Sequence, residues 1–266
     1  MTGGEPLMDK NTFKVLDYVI DNGRDDLEMA VTTNASVPDK LWDKFVDKVS
    51  FISEYKKVKR FRCFVSVDGW GDQAEYMRHG LDFDKMMNNV NNYLTRVDEG
   101  LVTFIVTFNM LSLPSIQRLL KGVLELQRIH NVSKTRREAD GTLTVYGHHK
   151  VFIDTPMLRY PEWQSLQLVP ESHWHYADKA LEFMNENIDR QRDSRWIGFK
   201  PHQIERFSRS VEFMKQGFDS ADKKQDAEEN FVRFFDAHDV RRNTDFNRTF
   251  PEFSELYKKW KKKYNV

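Results

Sequence analysis

Apolar residues recur at helical spacing and alternate with short β-rich runs through the first half of the chain. Phe13, Leu16, Val19 and Ile20 mark one face of a first helix, which the pattern ends near Asn22-Gly23. The run LEMAVTTN then predicts a strand over residues 27–34. A capping box over residues 36–39 predicts the start of a second helix. The aromatic and β-branched stretch RFRCFVSVD predicts the next strand over residues 60–68.

The same alternation continues further along the chain. A loop, GWGDQAEYMRHG, leads into a helix predicted to begin at Asp82, and LVTFIVTFN predicts a strand over residues 101–109. Ser112 is the predicted cap of the following helix, and LTVYGHHKVFID predicts a fourth strand within residues 143–154. Strands alternating with helices indicate a parallel α/β architecture, either a barrel or a doubly wound sheet.

The pattern changes after Pro170, where no further strand is predicted. Helical periodicity follows over residues 171–192, 201–216, 220–238 and 251–264. The sequence therefore predicts an α/β core over residues 1–170 and a helical C-terminal region over residues 171–266.

Charge and composition restrict the classes of partner. The 266 residues contain 41 Lys plus Arg and 41 Asp plus Glu, so charge favours neither nucleic acid nor an anionic membrane as an obligatory partner. No apolar run reaches the roughly 18 residues of a membrane span, and the N-terminus lacks the features of a signal peptide. We therefore expect a cytoplasmic protein without a membrane partner. The chain has one cysteine, Cys63.

Three predicted strands end in the same way, with a hydroxyl residue two positions before an Asn or Asp. The three pairs are Thr32 with Asn34, Ser66 with Asp68, and Thr107 with Asn109. Side chains two apart on a strand share a face and lie about 7 Å apart. Ligands of parallel α/β folds bind at this end of the strands, so the pairs predict a binding rim. The alternative is that these residues only cap the loops that follow.

The opening Gly-Gly-Glu-Pro belongs to the same predicted rim. Gly3 and Gly4 lack side chains and let a ligand approach the backbone, and the following helix start favours an anionic group. Such a turn usually joins a strand to a helix, yet only Met1 and Thr2 precede it.

Four segments together resemble the radical S-adenosylmethionine (SAM) superfamily, and most closely its twitch-domain branch. They are GGEPLM, VTTN, SVDGWGDQAEYMRHGLDFDKMMNNV and VTFNMLSL, and the resemblance extends from Gly3 to about Pro170. It implies a partial (β/α)6, TIM-like barrel that lacks its first two strands and is followed by the helical C-terminal region.

The resemblance also implies roles for particular residues in binding SAM. Gly3, Gly4 and Glu5 would meet the methionyl amino group, and Ser66 and Asp68 would hold the ribose. Asn109 would lie near the methionine or adenosine end, with Thr32 and Asn34 flanking the cavity.

One departure from the family limits the expected chemistry. Radical SAM enzymes hold a [4Fe–4S] cluster through a Cys-x3-Cys-x2-Cys loop, which this chain lacks. Cys63 alternates with Phe61 and Val65 and is predicted to be a buried thiol facing away from Ser66 and Asp68. The resemblance therefore implies a fragment whose complete form would use SAM and the cluster for radical chemistry on a peptide or small-molecule substrate. This chain alone is expected to be inactive in that chemistry.

Two other functional hypotheses are compatible with the sequence. The chain could be a non-catalytic module that binds SAM or a nucleotide, or an interaction subunit that completes the barrel of another chain. If the chain is a fragment of a radical SAM protein, another polypeptide could carry the missing N-terminal portion. The strand over residues 27–34 would then be a bare sheet edge, so the isolated chain is expected to associate or behave poorly. A monodisperse, cooperatively folding monomer would count against this expectation.

Overall fold

The computed structural model describes residues 1–189 and 195–266. The strands are β1 (Arg24–Thr33), β2 (Val58–Ser66), β3 (Leu101–Ile105), β4 (Val132–Arg137), β5 (Leu143–His148) and β6 (Val151–Asp154). Strands β1, β2, β3 and β6 form a four-stranded parallel sheet, and β4 pairs with β5 in an antiparallel hairpin. The predicted mixture of parallel strands and helices is confirmed.

The helices of the first half alternate with the strands, and those of the second half follow one another. They are α1 (Lys10–Asn22), α2 (Asp39–Glu54), α3 (Asp72–Met77), α4 (Phe83–Arg96), α5 (Ile116–His130), α6 (His175–Glu186), α7 (Pro201–Gln216), α8 (Ala221–Arg242), α9 (Phe246–Thr249) and α10 (Ser254–Tyr264). None of these helices has the length and apolar character needed to cross a bilayer.

Neighbouring strands of the parallel sheet follow one another in chain order. A doubly wound sheet would reverse its order at a switch point, and this sheet does not. Nor is it closed: within the described residues β1 and β6 are the two edges, so the structure shows an open sheet and not a barrel.

The two faces of the sheet differ in burial. Val31, Cys63, Val102 and Val151 form one row across the four strands, and all are fully buried beneath helices such as α2, α4 and α5. The next row, Thr32, Phe64, Thr103 and Phe152, points to the opposite side. We call this side the open face, because Thr32, Phe64 and Phe152 are only partly buried there.

Met1 lies beside the edge of β1. Its amino group donates to the Ala30 carbonyl (2.7 Å), and its own carbonyl accepts from the Thr32 amide (3.0 Å). This alternation is the hydrogen-bond pattern of a parallel pair. The Gly3-Gly4 turn consequently follows a strand-like residue and lies next to the carboxyl end of β1.

The predicted strand within residues 143–154 is wrong as a single element. Residues 143–148 form β5 of the hairpin, and only β6 joins the parallel sheet. The break occurs at Lys150, whose ammonium donates to the carbonyls of Leu94 (2.8 Å) and Val97 (3.0 Å) at the end of α4. The Lys150 amide also donates to Asn131 Oδ1 (3.0 Å). These long-range contacts redirect the chain, and local β-propensity does not encode them.

Two predicted helix caps are also wrong. The residue before α2 is Pro38, which makes no side-chain cap, and Ser36 instead accepts a hydrogen bond from the Asp82 amide (3.0 Å). Ser112 lies in a short 3-10 turn, where its hydroxyl accepts from the Asn109 amide (3.3 Å), and α5 begins only at Ile116. In both cases the serine satisfies a neighbouring backbone group and not the helix start.

The helical character of the C-terminal region is confirmed. Helix α7 spans the predicted residues, α6 and α10 are shorter than predicted, and α8 is longer; residues 190–192 of the first prediction lie outside the described residues. An aromatic cluster centred on Phe246 packs against Tyr76 of α3. The Tyr76 hydroxyl donates to Asp239 of α8 (2.7 Å), so this region contacts the α/β part directly.

Candidate functional site

The Gly3-Gly4 turn presents an unobstructed stretch of backbone. Both residues are exposed and have positive φ angles of 97° and 59°, which favour glycine. A Cβ placed on either residue would meet no atom of the described residues within 4 Å, apart from its own chain neighbours. The turn therefore has the room that a ligand needs to reach its amide and carbonyl groups.

Glu5 fixes this turn against the end of β1. Its carboxylate accepts hydrogen bonds from the Thr33 hydroxyl (2.7 Å) and the Asn34 amide (2.8 Å), and from the Leu7 amide within the turn (3.2 Å). Thr33 is only 2% exposed, so its hydroxyl depends on this partner. Glu5 therefore positions the turn, and its carboxylate is already engaged by the protein's own donors.

Thr32 and Ser66 lie on the open face with free hydroxyls. Neither hydroxyl forms a hydrogen bond to any residue that the structure describes. In the sheet, Thr32 lies opposite Phe64, and Ser66 lies opposite Ile105. Each of the polar strand ends is therefore two residues further along than the one on the strand before it, and the three do not lie side by side. These two hydroxyls remain available to a ligand.

Asn34, Asp68 and Asn109 are engaged in local contacts. Asn34 Oδ1 accepts from the Ser36 amide (2.9 Å), and Asn109 Oδ1 accepts from the Leu111 amide (2.9 Å). Both side chains therefore cap the following turns, which is the alternative that the sequence left open.

Asp68 combines a local hydrogen bond with an ion pair. Its carboxylate accepts from the Thr107 amide (2.8 Å) and pairs with Arg78 Nε (2.8 Å). Asp68 thus ties β2 to the segment after β3 and has its charge neutralised. It stabilises the rim. The rim groups left available to a ligand are the exposed backbone of Gly3 and Gly4 and the partly buried hydroxyls of Thr32 and Ser66.

A second group of residues, which the sequence did not predict, lies on the open face further from the carboxyl ends of the strands. The Arg62 guanidinium lies over the rings of Phe64 (5.7 Å to the centroid) and Phe152 (6.0 Å), with Thr103 between these two residues in the sheet. The alternation in RFRCFVS does put Arg62 on the face of Phe64 and Ser66. The sequence could not place Phe152 beside Arg62, because the strand that contains Phe152 was predicted with the wrong boundaries.

Cys63 is buried as predicted, on the helix-covered side of β2. Its exposure is 0%, and burial, together with the negative charge of Glu5, raises the pKa of its thiol. Within residues 1–189 and 195–266, no three His, Cys, Asp or Glu side chains converge in the manner of a metal site. Since a [4Fe–4S] cluster requires several thiolates, the donors of this chain do not fit the cluster.

The burial of Cys63 predicts very slow reaction with a thiol reagent. Because the neutral thiol is a poor nucleophile and is closed off from solvent, modification by 5,5′-dithiobis(2-nitrobenzoate) is expected at least about 100-fold more slowly in the native chain than in urea. Absorbance at neutral pH follows the reaction. Equal rates in the two conditions would show that Cys63 is accessible in the native chain.

Comparison with protein-family models, with curated proteins and with solved structures found no significant match. The assignment of function therefore depends on the residues and geometry of this chain.

Proposed function

We propose that this chain binds SAM, or a ligand with the same adenosyl and amino-acid groups, at the carboxyl end of its parallel sheet. The observation that carries the proposal is the Gly3-Gly4 turn, which is unobstructed and is held by Glu5 against the end of β1. The backbone of this turn would meet the amino-acid portion of the ligand, and the Ser66 hydroxyl would bind the ribose. Thr32 would flank the cavity.

We also propose that the sheet is an arc of a barrel of the radical SAM type. The consecutive order of β1, β2, β3 and β6 supports this, as does the parallel pairing of Met1 with β1 just before the glycine turn. In this proposal Asn34, Asp68 and Asn109 keep the rim in shape through their contacts, and a peptide or small-molecule substrate would reach the same rim.

The proposed activity of this chain is binding and not radical chemistry. When bound, a [4Fe–4S] cluster would supply the electron that cleaves the sulfonium of SAM. Cys63 is the one cysteine of the chain, and it is buried on the opposite side of the sheet from Ser66. No step through a cluster is therefore derived for these residues.

A second candidate is an interaction subunit that completes the sheet of another chain. It is favoured by the outer edge of β1, opposite β2. There, among the described residues, only Met1 pairs with the strand, and residues 24–29 are left open. That stretch bears the charges of Arg24, Asp25, Asp26 and Glu28, which oppose indiscriminate pairing. A partner for this edge would carry complementary charges.

Titration calorimetry tests the binding proposal on the whole chain. SAM and S-adenosylhomocysteine are expected to bind with affinities within about tenfold of each other, because the proposed contacts involve groups that both ligands have. 5′-Methylthioadenosine lacks the amino-acid group and should bind at least about tenfold more weakly. Absence of heat from all three ligands would exclude the proposal and leave the interaction subunit.

Two matched glycine substitutions give the control. Gly4→Asn places a side chain in the proposed ligand space and should weaken SAM binding at least about tenfold. Gly141→Asn is made in the turn between β4 and β5, where φ is 85° and a Cβ also meets no described atom within 4 Å. Asn is among the side chains that adopt a positive φ most readily, so both variants should fold, which circular dichroism checks before binding is compared. Equal loss of binding in the two variants would contradict the assigned position.

A further inference from the structure

Arg62 is a partly buried cation that forms no ion pair within 4 Å among the residues that the structure describes. Two acidic side chains on the open face are paired with other cations: Glu28 with Lys59 (3.2 Å) and Arg60 (3.9 Å), and Asp154 with Arg206. The charge of Arg62 acts on Glu28 only as the last of the contributions that lower the pKa of that carboxyl, after those of Lys59 and Arg60. The Arg62 guanidinium instead lies over the Phe64 and Phe152 rings. These rings keep water from part of the guanidinium, which strengthens its attraction for an anion.

Thr103 places a buried hydroxyl next to the same two aromatic residues. It occupies the sheet position between Phe64 and Phe152, and it is only 6% exposed. Its hydroxyl is buried and has no hydrogen-bond partner within residues 1–189 and 195–266. A buried hydroxyl without a hydrogen-bond partner lowers the stability of the fold. Thr103 lies on the open face, the same side of the sheet as the Arg62 side chain.

We propose that these residues form a subsite for a carboxylate ligand on the open face of the sheet. Arg62 pairs with the carboxylate through its two-pronged guanidinium, and the Thr103 hydroxyl donates a further hydrogen bond. Phe64 and Phe152 contact the apolar part of the ligand. The subsite uses none of the SAM contacts proposed above, so it does not depend on that proposal.

The charge count favours a carboxylate over a phosphate. A phosphate monoester carries close to two negative charges at neutral pH and calls for more than one cation. Here the neighbouring Lys59, Arg60 and Arg206 are each committed to a carboxylate of the protein. One positive charge within an aromatic wall matches a monocarboxylate with a small apolar body.

NMR titration of the intact chain with benzoate tests the subsite. Benzoate should bind saturably, benzamide should bind at least about tenfold more weakly because it is neutral, and phenyl phosphate should bind more weakly than benzoate. Arg62→Met should weaken benzoate binding at least about tenfold. Arg60→Met on the same strand should change it less than about twofold, because Arg60 is exposed and paired with Glu28.

Thr103→Val separates a binding role from a structural one. Valine keeps the shape and removes the unpaired hydroxyl, so the melting temperature should stay the same or rise while benzoate binds at least about threefold more weakly. No benzoate binding, equal binding by Arg62→Met and the wild type, or tighter binding of phenyl phosphate would overturn the proposal. So would a Thr103→Val variant with lower stability and unchanged affinity.

Discussion

Replacing Glu5 by alanine is expected to lower the free energy of unfolding by about 3 kcal/mol and to abolish measurable SAM binding. The carboxylate accepts three hydrogen bonds, and two of them, from Thr33 and Asn34, cross to the end of β1. Hydrogen bonds to charged groups contribute about 1.5–3 kcal/mol each, and water recovers part of the loss because Glu5 is half-buried. Binding is lost because the Gly3-Gly4 turn is no longer held against the strand.

Urea unfolding followed by circular dichroism measures the stability change. Glu5→Gln should lower the free energy of unfolding by about half as much as Glu5→Ala, because the glutamine amide nitrogen cannot accept the hydrogen bond from the Asn34 amide. Glu28→Ala is the matched control: Glu28 is an exposed carboxylate on β1 in surface ion pairs, and its loss should change the free energy of unfolding far less than the loss of Glu5. A Glu5→Ala variant as stable as Glu28→Ala would refute the anchoring role.

Lys150→Met is expected to destabilise the fold by about 2–3 kcal/mol. Lys150 is 6% exposed, and its ammonium donates to the Leu94 and Val97 carbonyls at the end of α4. Methionine fills a similar volume but cannot donate, so two carbonyls at a buried helix end lose their partner. Lys134→Met, which removes only contacts to the exposed Asp98 and Glu99, should cost under about 1 kcal/mol.

The pH dependence gives Lys150 a second signature. Burial lowers the pKa of its ammonium from the ordinary value of 10.5. Between the lowered pKa and 10.5 the unfolded chain binds more protons than the folded chain, so the contribution of Lys150 to stability increases as pH rises through that window. Chemical unfolding at several alkaline pH values should show this increase in the wild type and its loss in Lys150→Met. Equal pH profiles would contradict the assignment.

The parts of the fold that follow from local pattern could be predicted from the sequence. Helical spacing located α1 and α7 at their observed residues, and alternation placed Cys63 on the buried side of β2. The β1, β2 and β3 regions were found within a few residues because apolar, β-branched stretches are bounded there by turns.

The parts that depend on distant contacts could not be predicted. Nothing near Lys150 in the sequence indicates that it ends α4, and so the division between β5 and β6 was missed. Alternation assigns Arg62 to a face, but its position over Phe152 depends on which strand becomes the fourth neighbour. The polar residues at strand ends look alike in sequence, yet Asn34 caps a turn while the Ser66 hydroxyl bonds to no residue of the described part of the chain. Only the three-dimensional neighbours distinguish them.

NMR of the chain labelled with ¹⁵N-glycine tests the central proposal most directly. The sequence contains 12 glycines, so the amides of Gly3 and Gly4 can be followed individually while SAM is added. Gly141 and Gly217, which also have positive φ and open surroundings, are internal references. We predict saturable shifts of Gly3 and Gly4 at the affinity found by calorimetry, with the references unchanged. Unshifted Gly3 and Gly4 amides at saturating SAM would contradict the proposed site.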